Sequence, residues 1–297
     1  MKIQSQWWTC GIAASTFLFA SALAIADEPL VPDDKGQVVD IRGGVVDEAL
    51  SAERLKTMLT QSRVYDVKTT GQSERHLTLD DRPLMRFNNP VSGVPDGIIA
   101  MWKDGPRPAV VAQVFQLANG TWLHEAQSLA PAPLSMRNTK TGDIPWQPTA
   151  ESLRWKSIKD VVVDSRSAAS RLRQMRRIAS EFSAVDHFQV RSGDTARSPY
   201  KLRLLPQPVY RYSDPEKDVV DGAMFAFVHG TDPEMFLVLE ATEQNGQTSW
   251  RYSIAPMTCW AIDVHYNDQP VWNIEERLGK STPADNYHVW GYHGLDQ

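Results

Sequence analysis

The chain has 297 residues, a formal charge of −5, 42% hydrophobic residues and two cysteines. A mixed, mildly acidic surface disfavours nucleic acid as a partner, because a phosphate backbone selects a basic face. Beyond the N-terminal leader no stretch offers the roughly 18 consecutive apolar residues of a membrane helix, and the length is ample for two apolar cores.

The leader, MKIQSQWWTCGIAASTFLFASALAIADEPL, has one cation at Lys2, an apolar run from about Cys10 to Ile25, and small residues at Ala24 and Ala26 before Asp27 and Glu28. This layout predicts a secretory signal over residues 1–26, cut after Ala26. The run is shorter than a membrane anchor and is interrupted by Ser and Thr. Cleavage removes Lys2 and Cys10, so the charge becomes −6 and only Cys259 remains. The expected location is periplasmic or secreted, with no integral membrane segment after cleavage and no intramolecular disulfide.

After a polar segment to Gly44, apolar residues at Leu50, Leu55, Met58 and Leu59 predict a helix from about Asp47 to Ser62. From His76 the period changes to two, and short strands separated by Pro-containing turns are expected. Residues 97–102 and 109–115 flank an Asp-Gly turn and read as a hairpin, with a further strand over 122–126. The second half opens with Val161 to Val163, then Asp164-Ser165 as a candidate N-cap. A helix follows, with Leu172, Met175, Ile178 and Phe182 on one face. Strands recur over 201–205, 209–212, 223–228, 235–241, 250–253 and 259–266.

These two series are related. LTLDDRPLMRFNNPVSGVPDG, from Leu77 to Gly97, matches LRLLPQPVYRYSDPEKDVVDG, from Leu202 to Gly222, at a constant offset of 125 residues without a gap. Leu77/Leu202, Pro83/Pro208, Arg86/Arg211, Pro90/Pro215, Asp96/Asp221 and Gly97/Gly222 are among the identities. A self-match of this length predicts an internal duplication. The expected fold class is therefore α+β: two tandem, pseudo-symmetric repeats, each a helix packed on an antiparallel β-meander. The repeats are placed at 27–150 and 151–280, with a C-terminal tail over 281–297.

The stretches RFNNP with DGIIAMWKDGPRPAVVAQVF, and VYRYSDP with DGAMFAFVHGTDPEMFLVLEA, resemble an uncharacterised family of secreted bacterial proteins of the planctomycete type. The resemblance covers most of residues 50–275 and implies export and a helix-plus-strand plan. It implies no activity and no catalytic residue.

The duplication sorts the polar residues. Asp96-Gly97 and Asp221-Gly222 occur in both halves and read as turn chemistry. Arg86 and Arg211 are also paired across the halves; each guanidinium fits a carboxylate ligand bidentately or, more economically, a structural partner nearby. Asp263 and His265 point to one face of a strand. Their counterparts at the common offset are Asn138 and Lys140, so they are the candidate pair for acid–base work or for metal ligation. His124 and Glu125 point to opposite faces, which argues against a joint site. Cys259, opposite Leu134 at that offset, reads as a buried, inert thiol. His288 and His293 fall in the tail. The hydrolase signatures G-x-S-x-G and H-E-x-x-H, the phosphate loop G-x-x-x-x-G-K and C-x-x-C are absent, and no cofactor or metal ligand set is indicated.

Two functional readings follow. The first is an exported soluble binding or interaction protein without catalysis, taking a protein or small-molecule ligand in a groove lined by Trp102, Tyr210, Tyr212, Phe225 and Phe227. The second is an exported hydrolase whose site in the second half is built on Asp263 and His265, with Arg211 or Glu240 as a third group.

Overall fold

A computed structural model describes residues 48–71, 74–89, 94–117, 121–188 and 199–293. The expected signal over 1–26 and the polar segment to Gly44 lie outside the described residues. The chain divides into two compact units, Met1–Thr57 and Met58–Gln297. The described part of the first is the opening of helix α1 (Glu48–Arg63).

The second unit continues through β1 (Tyr65–Thr69), β2 (Thr78–Leu79), β3 (Met85–Asn89), β4 (Val94–Asp104), β5 (Arg107–Gln116), β6 (Thr121–Ser128) and β7 (Leu134–Asn138). Then come β8 (Lys156–Val162), helix α2 (Ala168–Ser180), β9 (Phe182–Asp186), β10 (Tyr200–Lys201), β11 (Arg203–Leu204) and β12 (Tyr210–Asp214). After a short 3-10 turn (Pro215–Lys217) the chain ends in β13 (Val219–His229), β14 (Asp232–Gln244), β15 (Gln247–Pro256), β16 (Ile262–Tyr266), β17 (Gln269–Ile274) and β18 (Tyr287–His293).

The expectation of an α+β molecule made of helix-on-meander repeats is overturned. Among the described residues the protein is mostly β, with 53% strand against 13% helix, and its strands form several antiparallel sheets. One six-stranded sheet runs β18-β6-β5-β4-β2, with β3 also on β4; the other runs β11-β13-β14-β15-β8, with β12 also on β13. Between them lies a shared core of Ile99, Met101, Val111 and Phe115 from the first sheet and Met224, Ala226, Phe236 and Val238 from the second. The outer face of the second sheet, with Phe225, Phe227 and Leu237, is covered by Met175 and Ile178 of α2 and by the four-stranded sheet β10-β9-β16-β17. The outer face of the first, with Trp102, Val110 and Ala112, packs against β1 and β7 through Val67, Leu134 and Met136. Apolar area buried on both faces accounts for the unbroken apolar runs of β4, β5, β13 and β14, which a strand with one wet face would not tolerate. Helix α2 is a cover on this stack of sheets. Helix α2 is capped by Ser167, whose hydroxyl accepts from the Ser170 amide at 3.1 Å, and not by the expected Asp164-Ser165.

The sheets on either side of Ala150 share one core. The segment 281–297, expected as a tail, supplies β18, which pairs with β6 from Tyr287↔Gln127 to His293↔Thr121 and buries Tyr287 completely.

The matched stretches adopt one register. Phe87 stands opposite Gly97, and Tyr212 opposite Gly222. In each pair the aromatic ring lies over the glycine, where a Cβ would meet the ring. Asp96 and Asp221 are therefore inside strands β4 and β13, not in turns. Their carboxylates receive the cross-strand arginines, Arg86 and Arg211.

Candidate metal centre

The long hairpin of β13 and β14 turns at Gly230, whose φ of 62° suits glycine. A bulge between Phe227 and Val228 re-aims the end of β13. Beyond the turn, Asp232 and Glu234 alternate onto the face that meets the first sheet. The tip is clamped there: Asn88 N donates to Thr231 Oγ1 at 2.9 Å, Asn89 Nδ2 to Asp232 Oδ2 at 2.9 Å, and Gln113 Nε2 to Asp232 Oδ1 at 3.0 Å.

Three more strands converge on this tip. On β6, Glu125 stands opposite Gln113, and its Oε2 accepts from the Tyr287 hydroxyl of β18 at 3.2 Å. Asp186 ends β9 with its side chain fully buried. His229 ends β13, its ring stacked on Tyr200 at 3.7 Å between centroids and met edge-on by Phe188 at 5.6 Å. One donor atom from each of Asp186, His229 and Glu234 lies within 4.8 Å of the other two. Both Asp186 oxygens and His229 Nδ1 are buried without a hydrogen-bond partner among the described residues.

The electrostatics are one-sided. Burial raises the Glu125 carboxyl to about 8, with the charge of Asp232 adding. Burial pushes Asp186 up against the neighbouring His187, and pushes Asp232 up despite its two amide bonds. Glu234 is driven well above the carboxylate range, first by burial and then by the charges of Asp232, Asp186 and Glu125, with Thr258 hydrogen-bonding against the trend. Burial lowers His229. Among the described residues no lysine or arginine forms an ion pair with any of the four acids. Four desolvated carboxyls without a cation are stable only if they hold protons or receive a positive ion. Asp186, His229 and Glu234 have the donor types that hold a metal.

The residues singled out by sequence fall elsewhere. Asp263 pairs with His187, Oδ2 to Nε2 at 2.8 Å, and accepts from Asn273 at 2.7 Å on the outer face of the four-stranded sheet. His265 lies beside it in a depression lined also by Pro270, Val271 and Trp272. The proposed third groups are engaged at other places: Arg211 with Asp221 and the Ala168 carbonyl, Glu240 with Arg107, Arg251 and Tyr212. The aromatic set forms no groove. Trp102, Phe225 and Phe227 are core residues on two different outer faces, Tyr212 is buried with its hydroxyl on Glu240 at 2.7 Å, and only Tyr210 keeps appreciable exposure. Arg86 is paired with Asp96. Cys259 is only partly buried and precedes β16 instead of lying within a strand. Its assigned counterpart was displaced because β14 and β15 are longer than β5 and β6, so β16 follows β7 by 128 residues, as between Leu134 and Ile262. The same shift sets Asp263 and His265 opposite Ser135 and Arg137, not Asn138 and Lys140.

Sequence reasoning passed over Asp186, His229, Asp232 and Glu234, and weighed metal ligation only at Asp263 and His265. The signal was present: at the offset of 125 the last three face Asp104, Arg107 and Ala109, so each belongs to one half only. Asp232 and Glu234 fall in the gap between the expected strands 223–228 and 235–241.

Comparison with protein-family models, with curated proteins and with solved structures finds no match to this chain.

Proposed function

We propose that this is an exported binding protein without catalysis of its own, and that its ligand is a cation received by the acid–histidine cluster at the β13–β14 tip. The observation that carries this reading is Asp186: a fully buried carboxyl with no side-chain hydrogen-bond partner among the described residues, facing further acids and the His229 imidazole but no lysine or arginine. Positive charge placed there would replace the protons that otherwise neutralise the group. Export is supported by the leader pattern and by the resemblance to a secreted family. No helix among the described residues is long and apolar enough to cross a membrane. The hydrolase reading has less support, since Arg211 and Glu240, its expected third groups, are engaged elsewhere and Asp263 is already taken by His187.

The test is thermal unfolding of the purified protein, first freed of metals with a chelator, then titrated with potassium, magnesium, calcium, zinc and methylammonium salts at constant ionic strength. At least one cation is expected to raise the midpoint in a saturable way, because a ligand that binds only the native state stabilises it by mass action. A midpoint indifferent to every one of them would refute the reading.

A further inference from the structure

We infer that the occupant is a single divalent first-row transition ion, held by Asp186, His229 and Glu234. This rests on the reading of the cluster as a cation site and narrows it to one chemistry.

The donor set decides the class. Two carboxylates and one imidazole come from three separate strands, and their donor atoms lie within 4.8 Å of one another. Ligands about 2.0–2.2 Å from a common ion stand at most about 4.4 Å apart, so only a small closure is required. Magnesium and calcium prefer shells made of oxygen, whereas an imidazole nitrogen beside carboxylates favours zinc, manganese or iron. The fully buried Asp186 is independent support, since side-chain amides already satisfy Asp232 whereas no side chain among the described residues hydrogen-bonds either Asp186 oxygen. Enclosure points the same way. Asp186 is 0% exposed and Glu234 5%, which suits a bare ion better than an organic ammonium group.

The surroundings are those of a held ligand set. Tyr200 and Phe188 fix the plane of the His229 ring. Thr258 hydrogen-bonds Glu234, and Asn89 with Gln113 holds Asp232 beside it. Partners of this kind orient ligands and sharpen affinity. Three protein donors leave part of the coordination sphere to another ligand.

The experiment is calorimetric titration of the metal-free protein with zinc, manganese, calcium, magnesium and methylammonium, alongside the absorption spectrum with cobalt(II). It is repeated on Asp186→Asn, His229→Gln and Asp263→Asn, with circular dichroism to establish folding. Zinc or manganese is expected to bind one per chain, with cobalt giving the spectrum of a nitrogen- and oxygen-ligated ion. Affinity should fall about 100-fold or more in Asp186→Asn and in His229→Gln, and stay unchanged in Asp263→Asn. Should one of the two ligand variants fail to fold, the other carries the test. Binding of only magnesium, calcium or methylammonium, indifferent to His229→Gln, would overturn the transition-ion assignment and leave a cation site. Transition-ion binding unaffected by either ligand variant would overturn the assignment of residues. Failure of every cation to bind would overturn both this inference and the function it refines.

Discussion

Arg107 and Asp232 are the first residues of β5 and β14, 125 positions apart, and each reaches from its hairpin tip to the opposite six-stranded sheet. Arg107 Nη2 meets Glu240 Oε1 at 2.5 Å, whereas Asp232 is held by the amides of Asn89 and Gln113. The two tips tie the sheets together in the same way, yet only one is electrically balanced. Around the fully buried Glu240 two guanidiniums, Arg107 and Arg251, and the Tyr212 hydroxyl share one carboxylate. Around Asp232 further acids gather without a basic partner. The same backbone position thus carries a structural ion cluster in one half and the candidate site in the other.

The Glu240 cluster sets the first expectation. Glu240→Gln leaves Arg107 and Arg251 without their common anion, and a broken buried pair costs about 3–5 kcal/mol. Arg107→Met leaves Arg251 and Tyr212 still bonded to Glu240, so about 1.5–3 kcal/mol is expected, the worth of one bond to a charged group. Urea unfolding of both variants compares them directly. A larger loss in Arg107→Met would mean that Glu240 is not the centre of the cluster.

The glycines under the aromatic rings give the second. A Cβ at Gly97 would lie 2.6 Å from Phe87 Cε1, and one at Gly222 would lie 2.6 Å from Tyr212 Cζ. Ala at either site displaces a buried ring, an overpacking cost of about 1–3 kcal/mol. Gly222→Ala should be the worse, because moving Tyr212 also endangers its bond to Glu240. Phe87→Leu should recover part of the loss in Gly97→Ala and none in Gly222→Ala. Equal recovery in both would show that the ring above the glycine is not the cause.

Much of the strand content was legible, and for a physical reason. The Leu77–Gly97 and Leu202–Gly222 stretches share Arg, Asp and Gly because each makes the same cross-strand pairs, Arg to Asp and aromatic to Gly. What the alternation of single strands does not contain is which sheet covers which. Phe225 and Phe227 look like groove residues until α2 and the four-stranded sheet are laid over them. The site was hidden for a related reason. Asp186 and Glu234 are acids at inward-facing positions of otherwise apolar strands, and their meaning depends on four strands distant in sequence that bring them to one hairpin tip. Val162 errs in the other direction: it sits in an apolar triplet, yet is 88% exposed at the end of edge strand β8.

The third expectation concerns β18. It closes the edge of the first six-stranded sheet along β6 and buries Tyr287, and Trp290 stacks on His124 at 5.4 Å between centroids. A chain ending at Asn286 uncovers the β6 edge, which invites pairing with other chains. It should unfold at lower temperature and associate. Tyr287→Ala, which keeps the strand, should cost about 3–5 kcal/mol through the lost ring. A truncated chain that stays monomeric with an unchanged midpoint would show β18 to be dispensable.

His124 supplies the last expectation, and its sign is fixed by burial. The ring is enclosed between Tyr65 and Trp290, at 5.4 Å from each, and burial lowers its pKa from 6.5 to about 3. A depressed value means that the unfolded chain takes up this proton more readily than the native one. The neutral ring's contribution to stability is therefore whole above pH 6.5 and is lost as pH falls toward 3. Between about pH 6.5 and pH 4.5 the loss amounts to about 2–3 kcal/mol, at about 1.4 kcal/mol per unit. The four acids at the hairpin tip act oppositely, since their raised values favour the native state at low pH. Comparing the protein with His124→Phe cancels them, because both chains carry the same acids and phenylalanine keeps the stacked ring. Urea unfolding at the two pH values should show His124→Phe gaining about 2–3 kcal/mol relative to the parent on acidification. Parallel pH profiles for the two proteins would mean that His124 titrates alike in the native and unfolded chains.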